Sequence, residues 1–460
     1  MSNILWKRLS QSSIWVIPVL FLADDILGTN GYQLTIAGVG IRIVLFCMTC
    51  AILGCYCLFV LHKDKMPLLP KRDNQLSLFG ILQPLDYIVL FFLLTNFLWA
   101  TVIPAVIRGE RIFALKDFST MLVLVLYFPV VFLIRTGRLN VEWLNKIVYL
   151  LCIILALWHV IMYLGEKVKP GFYKSYYDFI DVISLGTAVR TPIVYGHGIT
   201  RVVQTTSIFL LMGAFFAVRY YLGGGYWHLL PLLLFVFALC VTYTKSIWFG
   251  FVLGLGVYLV LVVLLSRNPL LRKRCASVAM AILLFITGLN FTIFDNSIFS
   301  RVYNTVRTEE SIGQLEEGED ELLDAKGTQL ANTLRAQQTV ALLNKWKQSK
   351  LLGFGYGSYA VECIRNNEYP FMYESTLPAL IMKLGCIGCL IWVVFIVGVT
   401  VSACVAFWNN NHNDLFWWIG MAFSYALAVQ TNPFLFTFAG FSFLLYLLLP
   451  MQKRTKVNRG

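Results

Sequence analysis

Asp295-Asn296-Ser297 opens the one long polar interval in this sequence, and Gly353-Phe354-Gly355-Tyr356-Gly357, Tyr373 and Glu374 close it. Between them lie an acidic run from Glu309 to Asp324 and a stretch around Arg335 that reads as helix. Almost everything on either side is apolar. The interval therefore reads as a large loop that splits a series of membrane-spanning segments.

Composition agrees. The chain of 460 residues is 58% hydrophobic and 13% charged, whereas an ordinary soluble domain carries about 25% charge. Stretches long enough to span a bilayer fall at 12–28, 36–61, 85–107, 113–134, 147–164, 202–221, 228–244, 246–265, 276–294, 376–404, 413–431 and 433–450, about twelve in all. The expected fold is all-α: a polytopic transmembrane helical bundle forming one integral membrane domain over 1–460. The first apolar run leads into Asp24-Asp25 without a small-residue cleavage site, so it reads as a span and not a cleaved signal.

The net charge of +13 does not indicate nucleic-acid binding, because the Lys and Arg sit in short clusters between apolar segments. Those clusters (Lys7-Arg8; Lys63, Lys65, Lys71, Arg72; Arg135, Arg138, Lys146; Arg219; Arg267, Arg272, Lys273, Arg274; Lys453, Arg454, Lys456, Arg459) follow even-numbered spans or lie at a terminus. By the positive-inside rule both termini are expected in the cytoplasm. Two long loops then face outward: 165–201, between the fifth and sixth spans, and 295–375, between the ninth and tenth. In the second, Leu330, Leu334, Ala341 and Leu342 recur at helical spacing from Gln329 to Lys347, opposite Asn332, Arg335, Lys345 and Lys347. The 11 cysteines read as small buried hydrophobes, and Cys386-x-x-Cys389 has no second pair or nearby His to make a metal site. No cofactor is expected.

Basic residues on the expected outer side are the first candidates for chemistry: Arg190, Arg201, Lys245 and Arg335. A planar guanidinium binds a diphosphate through paired, charge-assisted hydrogen bonds. The alternative is pairing with loop acids or snorkelling to headgroups. Glu374, just before the tenth span, is a candidate general base for a sugar hydroxyl if burial raises its pKa. An acidic residue favoured by the dipole of the following helix is the plainer reading. The glycines of 353–357 match no nucleotide-binding pattern and read as a turn folding the loop back onto the bundle.

Taken together, Tyr243-Thr244-Lys245-Ser246-Ile247-Trp248, then Arg335, Trp346, Leu351-Leu352-Gly353-Phe354-Gly355-Tyr356-Gly357 and Tyr373-Glu374-Ser375-Thr376 through Gly385-Cys386-Ile387-Gly388 resemble the O-antigen polymerase and O-antigen ligase superfamily. The resemblance implies a metal-independent glycosyltransferase of the bacterial cytoplasmic membrane. Its donor would be an undecaprenyl-diphosphate-linked oligosaccharide and its acceptor the hydroxyl of another glycan, with a flippase and a chain-length regulator as expected partners. Arg335 matches the family's loop arginine, Lys245 stands where an arginine is frequent, and Arg201 matches the arginine before the sixth span. Ligases carry a His where this chain has Glu374, and His197 lies in the other loop, so polymerase is favoured. A ligase moving glycan to lipid A core or protein is the alternative within the family. A lipid-linked oligosaccharide flippase and a subunit of an envelope assembly complex are the alternatives outside it.

Overall fold

The computed structural model describes residues 14–28, 32–36, 39–64, 81–106, 111–183, 188–190, 195–196, 199–266, 268–306, 319–364, 369–408, 412–430 and 433–452. Each of the expected apolar stretches carries helix. In chain order these are α1 (Val16–Leu27), α2 (Ile41–Lys63), α3 (Pro84–Val106), α4 (Arg111–Ser119), a 3-10 segment (Thr120–Leu126) and α5 (Tyr127–Arg135). They continue as α6 (Val141–Val168), α7 (Phe172–Ile183), α8 (Phe209–Leu222), α9 (Leu229–Val241), α10 (Lys245–Leu265) and α11 (Pro269–Thr292). The last are α12 (Ser297–Val306), α13 (Glu319–Trp346), α14 (Thr376–Trp408), α15 (His412–Ala428) and α16 (Phe438–Leu448). Eight helical segments among the described residues are long and apolar enough to cross a bilayer. The other spans read from the sequence are shorter helices: α1, α9, α15 and α16. The chain is a polytopic helical membrane protein.

Two departures are local. The second stretch begins as strand: β1 (Tyr32–Ile36) pairs antiparallel with β2 (Val39–Gly40) and with β3 (Ala188–Arg190), and helix starts only at Ile41. A second ribbon joins Tyr195–Gly196 to Ile199–Thr200. The fourth stretch is not one helix, because the 3-10 segment separates α4 from α5.

The core is organised around α8, on which every residue from Phe209 to Val218 is buried. Glycine allows a close approach between α10 and α15. A Cβ on Gly254 would sit 2.6 Å from the Gly420 carbonyl oxygen, and one on Gly250 would sit 2.7 Å from that of Ser424. Small residues facing one another let membrane helices pack backbone to backbone.

The glycine-rich turn is built into α14. Gly385 has φ 64°, outside the helical region, and breaks the helix part-way along. The turn repairs the backbone there. Phe354 N–H donates to Met382 O at 3.1 Å and Gly355 N–H to Lys383 O at 2.8 Å, while Cys386 N–H and Ile387 N–H donate to Lys350 O and Leu351 O at 2.9 and 3.0 Å. Trp99 of α3 adds indole N–H bonds to Leu352 O and Leu384 O at 2.8 and 3.0 Å. Gly353, Gly355 and Gly357 all have positive φ. A Cβ on them would lie 2.4–2.5 Å from Gly385, Pro104 and Ala114 respectively. The loop folds back onto the bundle and plugs into it.

Beneath the plug, Lys383 of α14 and Asp117 of α4 form an ion pair at 2.6 Å with both side chains 0% exposed. Gly357 N–H donates to the same carboxylate at 2.7 Å, and the Phe436 ring centre lies 4.2 Å from the ammonium. This pair joins three parts of the chain at the upper end of the bundle, where α3 finishes and α14 begins.

Candidate functional site

The upper end also gathers the arginines. Arg335 projects from α13 toward the start of α14, and its Nε–H donates to Glu374 Oε2 at 2.9 Å. α13 is clamped there by Gln338, whose Oε1 accepts from Ser375 N–H at 3.1 Å, and by Thr339, whose hydroxyl meets Ser375 Oγ at 3.2 Å. Leu342, one turn further along, is 0% exposed. The expected helix is therefore present and starts ten residues earlier than read, at Glu319 and not Gln329. Most of the acidic run lies outside the described residues.

Arg201 lies just before α8, in a segment tied to the end of α9 by Val202 N–H donating to Val241 O at 3.2 Å. Its Nε is buried and has no hydrogen-bond partner among the described residues. Burial lowers its pKa to about 10, Arg301 and Arg335 push it the same way, and the Glu374 carboxylate opposes them. At neutral pH the guanidinium is still charged. It faces two other cations and one carboxylate.

Arg301 was not singled out from the sequence. Two positive-φ residues, Asp295 and Asn296, turn the chain from α11 into α12. Buried Asn290 holds that turn, its Oδ1 accepting from Phe299 N–H at 3.2 Å. The Ser297 and Tyr243 hydroxyls are 2.9 Å apart, and the Arg301 guanidinium lies 5.8 Å from the Tyr243 ring centre. Tyr243, itself at φ 46°, turns α9 into α10. One signal was legible: Arg301 is a basic residue in the loop expected to face outward, where the positive-inside rule disfavours one.

Residues 230–393 match the family model described as O-antigen ligase. That segment, about a third of the chain, is similar to the O-antigen ligase family. The matched segment runs from α9 into α14 and holds Lys245, Arg301, Arg335, the glycine turn, Glu374 and Lys383; Arg190 and Arg201 lie before it. No curated protein matches the chain.

Against that background, the structure brings Arg201, Arg335 and Glu374 together with Arg301. Lys245 opens α10 two residues after Tyr243, which puts it at the same corner of the bundle. Arg190 is described at the backbone alone, paired with Tyr32. His197 lies outside the described residues. Glu374 is 27% exposed and held by Arg335, so its setting is an ion pair and not an apolar pocket. Among the described residues no three His, Cys, Asp or Glu side chains gather to hold a metal ion. Among the described residues the cluster holds more arginines than acids, and guanidinium groups offer charge and hydrogen-bond donors to an anion.

Proposed function

We propose that this protein polymerises undecaprenyl-diphosphate-linked repeat units into a cell-surface polysaccharide on the outer face of the bacterial cytoplasmic membrane. The observation that carries the reading is the buried Nε of Arg201, without a hydrogen-bond partner among the described residues, beside Arg301 and Arg335. A buried charge without a partner is costly, and a diphosphate supplies the missing acceptors. Arg201, Arg301 and Arg335 bind it, with Lys245 at the rim; Arg190 is a further candidate from the sequence alone. The lipid tail follows from the same placement. α12 turns Arg301 inward, while Phe299, Val302 and Tyr303 on the same helix are exposed, an apolar face suited to an isoprenoid in the outer leaflet.

In the reaction, the acceptor hydroxyl oxygen attacks the anomeric carbon of the donor sugar, and the bond from that carbon to the diphosphate oxygen breaks. The lipid diphosphate leaves with the electron pair. Arginines aimed at the leaving group stabilise its developing charge, the kind of preorganised electrostatics that contributes most in many enzymes. Diphosphate competes with Glu374 for Arg335. Donor binding thus frees the carboxylate, which then takes the hydroxyl proton.

The test is Arg301→Ala and Arg201→Ala in cells: folded protein at normal level with no polymer beyond one repeat. Normal chain length in both variants would defeat the diphosphate role. The description of the matched family favours a ligase as the second reading. Analysis of glycans after deletion separates the two. Loss of a polymerase leaves single repeats on their acceptor, and loss of a ligase leaves the acceptor bare.

A further inference from the structure

Away from the arginines, a cleft of about 700 Å³ runs between α13 and the turn at Ala360–Glu362. Thr333, Gln337, Asn344 and Gln348 line it at helical spacing, with Ala336 and Val340 between them. This face of α13 is unlike an ordinary solvated helix face, which carries charge. Amides and a hydroxyl both donate and accept hydrogen bonds, which is what vicinal sugar hydroxyls require. The small apolar side chains between them suit the C–H faces of pyranose rings. Lys345, at one edge, is committed: its ammonium donates to Tyr359 O and lies 5.1 Å from the Phe354 ring centre. The cleft therefore suits an uncharged or weakly charged saccharide better than a polyanion.

We propose that this cleft is a saccharide subsite that holds the glycan strand beyond its reacting end. The proposal rests on the glycan-joining reading of the arginine cluster. Arg335 projects from the opposite side of α13, and opposite faces of one helix are about 10–12 Å apart. The cleft thus holds sugars removed from the reacting one. From Thr333 to Trp346 the helix rises about 20 Å, room for several rings. A strand held there gives long acceptors an advantage that a single repeat does not have.

Two measurements test this on the full-length protein in lipid nanodiscs, using oligosaccharides of several repeats made by partial hydrolysis of the cell's own surface polysaccharide. The first is saturation-transfer NMR with Val340→Trp, which fills the cleft. Wild-type protein should give a saccharide signal that the variant loses; no signal from wild type, or an equal signal from both, overturns the subsite. The second is extension kinetics with Gln337→Ala combined with Asn344→Ala. KM for multi-repeat acceptors should rise about tenfold, the loss of two hydrogen bonds, with kcat and the one-repeat KM unchanged. An unchanged multi-repeat KM overturns the proposal, and so does an equal rise for one-repeat acceptors. Saccharide binding that Val340→Trp abolishes, in a wild-type protein that extends nothing, would support the cleft and defeat the polymerase.

Discussion

Two charged clusters sit at the upper end of this bundle, and their charges are balanced to different degrees. Lys383 and Asp117 are wholly buried, paired one to one, and closed over by Gly357 N–H and aromatic rings. Arg201, Arg301 and Arg335 share Glu374, and Arg201 keeps a buried Nε with no partner among the described residues. The first cluster has what a structural lock needs. Among the described residues the second has more positive than negative charge, which is what a site for an anionic ligand needs. Balance of charge separates the two roles better than burial does: one acid meets one base in the first cluster, and among the described residues the first cluster alone is electrically closed.

Breaking the lock is the largest effect expected. Lys383→Ala strands the Asp117 carboxylate, and removing one partner of a buried pair costs about 3–5 kcal/mol. Detergent-solubilised protein should aggregate or melt far earlier in fluorescence-detected size exclusion. An unchanged melting temperature would show that the pair is not a lock. Gly355→Ala should act similarly, because its Cβ would meet Pro104 at 2.4 Å.

The arginines should behave in the opposite way. Arg301→Ala should leave melting nearly unchanged while lowering polymerisation rate by about 10²–10³-fold, the scale for losing one charge-stabilising donor. Equal damage to melting and rate would erase the contrast between the clusters. Glu374→Gln then sharpens the second cluster: a fall of about 10²–10⁴-fold fits a base, whereas a few-fold change leaves Glu374 as a clamp for Arg335. The same substitution should cost under about 1 kcal/mol of stability, because the pair is partly exposed.

The smallest effect is in pH. Arg201 titrates at about 10 in the folded protein, below the 12.5 of a free guanidinium. Above neutrality the cluster sheds charge as pH approaches 10, so binding of inorganic diphosphate should weaken there. Stability should move the other way. The unfolded chain binds more protons between these values, and the linkage favours the folded state as pH rises. Calorimetric diphosphate binding that is flat up to pH 10, or equally steep in Arg201→Ala, would remove Arg201 from the site.

How much of this the sequence disclosed follows from range. Apolar length, glycine density and the helical stripe around Arg335 are local signals, and they located the spans, the turn and α13. The Asp117–Lys383 pair has no local signature: its members lie on different spans, and each alone looks like an error in an apolar run. The break at Gly385 was equally hidden, since a glycine within a span is compatible with unbroken helix. The second and fourth apolar stretches misled for one reason. Hydropathy reports burial in lipid or protein and does not distinguish strand or 3-10 turn from α-helix. Arg301 was passed over because its neighbours, Phe299, Val302 and Tyr303, look like ordinary membrane edge.

The break in α14 bears on how the chain is made. Backbone groups left open within a lipid-facing helix cost several kcal/mol each. Here Met382 O, Lys383 O, Cys386 N–H and Ile387 N–H, which flank the break, bond to residues 350–355. The tenth span therefore cannot settle as an independent stop-transfer segment during synthesis. It must wait for, or carry with it, the end of the loop translated just before it, and the two enter the membrane as one folding unit.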